Sequence, residues 1–264
     1  MKKIIVRLLN IITGKTRFQG FYEALLKVSL VAMNYGDGEF RTSGELNVFS
    51  IIKRKFKNKK DLVIFDVGGN VGNYSKSLAI FFGPNTTIHS FEPSKKTFKR
   101  FIETTSTFSN IIPYNFGFGE AEDKMLLYTD TDFSGLASVY QRNLKHFGVD
   151  MDASEEISIS TIDKFCSSSN INHIHFLKLD IEGHELKALI GAKKMIMSKK
   201  IDMIQFEFGG CNIDSRTYFR DFFYLLKEDY KIYRILKDGL FELNQYKESY
   251  EIFLNVNYLA IRKS

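Results

Sequence analysis

Asp61-Leu-Val-Ile-Phe-Asp-Val-Gly-Gly-Asn-Val-Gly-Asn-Tyr74 decides the fold of this chain. An apolar run ends in an acid, Asp66, and breaks into a turn bracketed by Gly68 and Gly72, and a helical pattern sets in from about Tyr74. Glycine has no Cβ, so such a turn closes tightly and brings the backbone near a ligand. The helix start that follows presents unpaired amide N–H groups. Strand, glycine-rich turn and helix form the nucleotide-binding corner of a doubly wound α/β fold. A purely structural strand-to-helix turn is the competing reading.

The glycine spacing narrows the ligand. A dinucleotide fingerprint needs G-x-G-x-x-G, but from Gly68 the third position is Asn70 and the sixth is Asn73. No G-x-x-x-x-G-K-[ST] phosphate loop is present either. What remains is D-x-G-x-N-x-G, with Asp66 ahead of the turn and Asn70 inside it. A carboxylate there repels a pyrophosphate and attracts an ammonium group. S-Adenosylmethionine carries an ammonium, a sulfonium and a ribose, and no phosphate. Thr86-Thr-Ile-His-Ser-Phe-Glu-Pro93 adds a second short strand ending in an acid, Glu92. Acids at that place hydrogen-bond ribose hydroxyls; a solvent-facing glutamate before a turn is the plainer alternative. Pro93 breaks the strand and Ser94 suits the N-cap of the next helix.

Outward from this corner the elements alternate. Strands are expected near 62–67, 86–91 and 111–116, with helices near 73–82 and 94–106. Pro113 inside the third strand favours an edge position. The alternation lapses between about 120 and 160, where Met125-Leu-Leu-Tyr128 and Ile157-Ser-Ile-Ser-Thr161 flank a polar loop, read as an insertion or substrate loop. It resumes with His175-Phe-Leu-Lys-Leu-Asp180, one helix over 184–198, the strand Ile201-Asp-Met-Ile-Gln-Phe-Glu-Phe208 and a helix over 215–229. Strands near 231–236 and 251–261 are expected to pair antiparallel. Such alternation predicts a mainly parallel sheet covered by helices. Residues 1–60 read as a helical N-terminal extension, and 61–264 as the catalytic domain.

The composition bounds the setting. The chain has 264 residues, is 44% hydrophobic and carries a net charge of +6 from 37 basic and 31 acidic residues. Part of the excess lies in Lys53-Arg-Lys-Phe-Lys-Asn-Lys-Lys60. A solvated helix face and linker explains this run better than nucleic-acid binding, because no zinc-finger spacing or RNA-binding signature accompanies it. Peripheral contact of the basic N-terminal region with an anionic membrane surface is an intermediate reading. Residues 4, 5, 8, 11 and 12 share one helix face, for which docking on the protein itself is the default. Arg7 and Asn10 interrupt the apolar N-terminus, which argues against a signal peptide. Cys166 and Cys211 form no metal spacing and suggest reduced thiols in a cytoplasmic setting.

In open α/β sheets ligands bind beyond the carboxyl ends of the strands. Four such ends bear an acid: Asp66, Glu92, Asp180 and Glu207. The densest cluster is Asp180-Ile-Glu-Gly-His-Glu185. Glu182 and Glu185 also suit a first helical turn, where acids complement the dipole, and His184 also suits a cap or a packing role. Methyl transfer from a sulfonium to oxygen is a single displacement, helped by a base that takes the hydroxyl proton. Asp180, His184 and Glu207 are the candidates for base or acceptor-orienting roles. Asp180 and Glu207 would suit magnesium, but no compact ligand motif requires a metal.

Val63-Ile-Phe-Asp-Val-Gly-Gly-Asn-Val-Gly72, Ser90-Phe-Glu-Pro93, Ile162-Asp163, Leu177-Lys-Leu-Asp-Ile-Glu-Gly-His-Glu185 and Phe206-Glu207 occur in an order that resembles the FkbM family of S-adenosylmethionine-dependent methyltransferases. The resemblance covers roughly residues 60–260. It implies a Rossmann-like class I fold: a seven-stranded, mostly parallel sheet with an antiparallel last strand and helices on both faces. It also implies methylation of a hydroxyl, often on a sugar or a secondary metabolite, so a small-molecule or glycan acceptor is expected and a nucleic acid is not. By the same resemblance Asp66, Gly68, Asn70, Gly72 and Glu92 map to the cofactor site, joined by Asp180, with Asn115 near the adenine. Two rivals stand beside this reading: an NAD-dependent oxidoreductase, disfavoured by the failed dinucleotide pattern, and a non-catalytic binding module on the same fold.

Overall fold

The computed structural model describes residues 12–263. The apolar stripe at residues 4, 5, 8 and 11 lies outside this range. Two helices, α1 (Gln19–Ala32) and α2 (Glu45–Lys55), precede strand β1 (Val63–Val67). Then follow α3 (Asn73–Phe82), β2 (Thr87–Phe91), α4 (Lys95–Thr105) and β3 (Ile111–Tyr114). Strands β4 (Gly117–Phe118), β5 (Asp123–Thr129) and β6 (Ala153–Ser160) come next, followed by α5 (Ile162–Ser168) and β7 (Phe176–Leu179). The chain closes with α6 (Glu185–Ile190), α7 (Lys193–Met197), β8 (Met203–Phe208), α8 (Cys211–Ser215), α9 (Phe219–Leu226), β9 (Tyr230–Leu236), β10 (Gly239–Glu242) and β11 (Val256–Arg262).

The main sheet has the order β10-β9-β11-β8-β7-β1-β2-β3. Strands β3, β2, β1, β7 and β8 run parallel. The last strand, β11, enters antiparallel between β8 and β9. The sheet is therefore mostly parallel with an antiparallel last strand, as expected, but it has eight strands rather than seven. The extra one is β10: Lys237-Asp238 folds the chain back on β9, pairing Gly239 with Leu236. Pro113, which has no N–H to give, sits on the edge strand β3.

The central strands are buried on both faces, as parallel strands under helices are. Ile64, Ile88, Phe176, Met203 and Leu259 enter one apolar cluster with Val48, Phe49 and Ile52 of α2 and Leu78 of α3. Phe65, Leu177, Ile204 and Phe206 enter the other, with Phe165, Leu189 and Phe222 from the helices of the opposite face. Each large side chain so buried contributes roughly 1.5–3 kcal/mol. By this measure α2 is part of the core. Its basic last turn, Lys53, Arg54 and Lys55, lies where cations favour the helix dipole.

One expected helix is split and another starts late. Over 184–198, α6 stops at Gly191, where an added Cβ would come within 2.0 Å of the Gly119 carbonyl oxygen. Over 215–229, the chain turns at Arg216, whose φ of 55° is left-handed, before α9 begins at Phe219. The stretch between 120 and 160 forms a small second sheet in the order β4-β6-β5. Its Leu127, Ile157 and Ile159 form a separate apolar cluster beside the strand ends. Among the described residues no helix is long and apolar enough to cross a membrane.

Candidate active site

Strand pairing arranges the polar residues in two ranks on the face covered by α2 and α3. Ser90, Asp66, Lys178 and Gln205 stand side by side across β2, β1, β7 and β8. Two residues further along come Glu92, Gly68, Asp180 and Glu207, with Asn257 of β11 opposite Glu207. Side chains two apart share a face, so the second rank stands about 7 Å above the first.

The lower rank is a buried polar layer in which Asp66 Oδ1 and Gln205 Oε1 have no partner. Asp66 is fully buried, and its Oδ2 accepts from Ser75 Oγ at 2.5 Å. Ser75 and Ser90 hydroxyls share a bond of 2.6 Å. Burial pushes the Asp66 carboxyl up, against the pull of Lys178 and Ser75. Lys178 is buried, its Nζ 4.5 Å from the centre of the Tyr74 ring. Burial opposes its charge, but the carboxylates of Asp180, Asp66 and Glu45 outweigh that and hold the ammonium above its ordinary range. Lys178 Nζ reaches up to donate to Asp180 Oδ2 at 2.6 Å. Gln205 Nε2 donates to Glu45 Oε2 at 2.6 Å, which ties α2 to β8.

The upper rank lines a cavity of about 380 Å³. The glycine turn forms part of its rim. Gly68 has φ 87°, and a Cβ there would collide with the Asp180 carbonyl oxygen at 1.8 Å, so only glycine fits. Asn70, with φ 45°, donates its backbone N–H to Glu92 Oε2 at 2.9 Å, and Ser94 N–H donates to Oε1 at 2.9 Å. The Glu92 carboxylate is thus held by one amide on each oxygen. Burial raises its pKa to about 7, with the Ser94 and Asn70 amides pulling it back. Five carboxylates line the cavity, Glu45, Glu92, Asp180, Glu182 and Glu207, and no Lys or Arg does so among the described residues. Among the described lining residues, two buried side-chain oxygens have no partner in the protein: Asn70 Oδ1 and Glu207 Oε2. Burial, with the charges of Asp180, Glu182, Glu185 and Glu45, pushes the Glu207 carboxyl well up.

The other flank is apolar, made of Phe118, Leu127, Ile157 and Ile159 of the small sheet with Leu136 and Val139 of its loop. His184 also lines the cavity. Its Nδ1 lies 3.0 Å from the Tyr140 hydroxyl, and Nε2 packs against Gly119, where an added Cβ would meet it at 2.9 Å. Burial and Lys187 lower its pKa to about 4, so it is neutral near pH 7. Glu185 does not reach the cavity; it is fully buried and accepts from the amides of Ile181 and Gly183, fixing the turn after β7.

The structure therefore brings Gly68, Asn70, Glu92, Asp180, His184 and Glu207 together at one cavity. It places three sequence-predicted residues elsewhere. Asp66 lies one rank below the wall. Gly72 caps α3 behind the turn, against Thr105 and Phe101. Asn115 is exposed, and its Nδ2 clamps the carbonyls of Glu92 and Pro93 at 2.9 and 3.0 Å. Sequence reasoning missed Glu45, Gly38, Asn255 and Asn257, all of which line the cavity. Glu45 reads in sequence as an acid of a first helical turn, and nothing local pairs it with Gln205. Glu182, Glu207 and Cys211 offer ligand atoms within 4.8 Å of one another. Arg142, however, donates to Glu182 Oε2 at 2.6 Å, and burial pushes the Cys211 thiol up. A guanidinium on one carboxylate and a protonated thiol do not make a metal centre.

Residues 66–243 match the model of the methyltransferase FkbM domain. This chain belongs to the FkbM methyltransferase family. Among curated proteins, the hexuronic acid methyltransferase AglP of Haloferax volcanii is 25% identical over 167 residues, covering 63% of this chain and 64% of that protein. The match thus spans less than two thirds of that relative's length. Among solved structures, an S-adenosylmethionine-dependent O-methyltransferase of Thermotoga maritima superposes with TM-score 0.42 at 10% identity, covering 83% of this chain and 66% of that one. The fibrillarin of Aeropyrum pernix, solved with natively bound S-adenosyl-L-methionine, gives TM-score 0.42 at 10% identity over 76% of this chain and 66% of its own.

Proposed function

We propose that this FkbM-family methyltransferase moves a methyl group from S-adenosylmethionine to a hydroxyl of a sugar in a glycan, glycolipid or nucleotide-sugar precursor. The observation that carries the reading is the charge of the cavity: five carboxylates and no lysine or arginine among its described lining residues, at a glycine turn of the class I type. Such walls suit a cation and oppose a pyrophosphate, which disfavours NAD. The sugar acceptor is supported by the relative named as a hexuronic acid methyltransferase.

The donor set fits the cofactor. Glu92, with each oxygen pinned by one amide, keeps further lone pairs for two ribose hydroxyls. Asn70 Oδ1, without a protein partner, suits a donor such as the ammonium. The apolar flank of the small sheet suits the adenine. When bound, S-adenosylmethionine supplies an electrophilic methyl on a sulfonium. The acceptor hydroxyl would take that methyl and give up its proton to a base of this chain. We assign that base to Asp180, whose Oδ2 is fixed by Lys178 while its side chain stays 42% exposed to the cavity. Glu207 orients the acceptor, and His184, its Nδ1 3.0 Å from the Tyr140 hydroxyl, lines the site.

Calorimetry with S-adenosylmethionine and with NAD tests the cofactor, and methyl incorporation into a panel of glycosides and nucleotide sugars tests the acceptor. Tighter binding of NAD, or binding of S-adenosylmethionine with no transfer to any sugar, would sink the respective half of the proposal.

A further inference from the structure

The end of the cavity away from Glu92 is built by segments from both ends of the chain. Gly36 N–H donates to the Asn255 carbonyl at 2.8 Å, which stitches the loop before α2 to the approach to β11. Gln205 Nε2 bonds both Glu45 Oε2 at 2.6 Å and Asn257 Oδ1 at 3.2 Å. Asn257 thereby spends its acceptor on Gln205 and keeps its Nδ2 as a donor. Beside it, Glu207 Oε2 has no partner although the residue is only 6% exposed. The buried cations Lys178 and Arg142 are already engaged, by Asp180 and by Glu182. Glu45, Asn255 and Asn257 all fall outside the stretch 66–243 that matches the family model.

We propose that Glu45, Glu207 and Asn257, together with Asp180, form the acceptor subsite, and that it selects an uncharged polyhydroxylated ring and rejects one bearing a carboxylate. This rests on the methyltransferase reading above. A sugar hydroxyl donates to a carboxylate and accepts from an amide, so neighbouring hydroxyls satisfy Glu45 or Glu207 and Asn257 Nδ2 together. A hexuronate would bring an anion beside the Glu45 and Asp180 carboxylates with no free cation to meet it. A buried polar site rejects a mismatched ligand by roughly 10²-fold or more. The subsite thus differs in kind from what the name of the Haloferax relative would suggest for its acceptor.

The test uses full-length protein saturated with S-adenosylhomocysteine at pH 8, above the Glu45 pKa, which burial raises to about 6. Binding of a p-nitrophenyl hexoside and of the corresponding hexuronoside, alike except at C6, is measured by calorimetry. The hexoside is expected to bind at least ~10-fold more tightly. Glu45→Gln should narrow that ratio, and Asn257→Asp, which adds an anion, should widen it, with S-adenosylhomocysteine affinity unchanged in both. Opposite shifts cannot arise from a common loss of fold. Equal or tighter binding of the hexuronoside, or a ratio that neither variant moves, would overturn the proposal. If neither sugar binds while S-adenosylhomocysteine does, the subsite assignment fails and the methyltransferase reading stands.

Discussion

The two ends of the central strands use the same kinds of side chain to opposite effect. At the amino ends, His173, His175 and Asp202 bring donor atoms within 4.8 Å of one another, the outline of a metal site. There every charge is answered. Asp202 takes His173 Nε2 at 2.6 Å and Arg262 at 2.7 and 3.1 Å. These partners overcome burial and hold its carboxyl below the usual range. His175 Nδ1 accepts the Val63 amide at 2.9 Å, so the neutral ring carries its proton on Nε2 and has no lone pair left for a metal. At the carboxyl ends, Asn70 and Glu207 line a cavity, and one buried oxygen of each has no partner. His175 Nε2 also lacks a partner, so the two ends differ in access: the acids at the carboxyl ends line a cavity, whereas the brace is packed into the fold.

The sharpest way to break this contrast is Asp180→Asn. Transfer should fall by about 10²–10³-fold, with S-adenosylmethionine affinity by calorimetry held within about threefold. Loss of both together would make Asp180 part of the cofactor floor only. Next comes Asp66→Ala, which strips the lower rank of its anion beside Ser75 and Lys178. We expect a loss of about 3 kcal/mol, seen as a drop in Tm of roughly 6–12 °C. An unchanged Tm with cofactor binding abolished would show that Asp66 reaches the ligand after all.

A smaller effect should follow pH. Burial raises the Glu92 pKa to about 7, so the ionised form that a cation or a ribose prefers fills in as pH rises. Cofactor affinity should grow about tenfold between pH 6 and 8, and Glu92→Gln should flatten that rise. The sign for stability is the reverse. The folded apo protein keeps a proton that the unfolded chain has already released, so this group makes it less stable as pH climbs from about 4.5 to 7. The smallest effect belongs to the brace. Asp202→Asn should cost about 1 kcal/mol in chemical denaturation, leave transfer intact, and added zinc should not raise Tm. Zinc stabilisation of the parent protein would reverse the comparison.

Much of the carboxyl end was legible because its signals are local. An acid closing an apolar run marks a strand end, and Glu92, Asp180 and Glu207 were read correctly as sharing one edge. Depth was not legible. Asp66 ends its strand as plainly as Glu92 does, yet pairing sets Glu92 level with Gly68 and leaves Asp66 beside Ser90, one rank down. Relative height depends on register between strands, which no single segment encodes. The break at Gly191 and the late start after Arg216 were hidden for a like reason, since the Gly119 carbonyl that stops the first helix comes from a distant loop. Glu45 was missed because its partner, Gln205, is 160 residues away.

The meeting of α2 with the approach to β11 has a consequence for how such an enzyme diversifies. Gly68, Asn70, Glu92, Asp180 and Glu207 lie inside the stretch 66–243 that matches the family model, whereas Glu45, Asn255 and Asn257 line the same cavity from outside it. Both segments are built into the body, α2 in the core and β11 inside the sheet. Changing the side chains at Glu45, Asn255 and Asn257 would then retarget the methyl group while the backbone that carries them stays untouched.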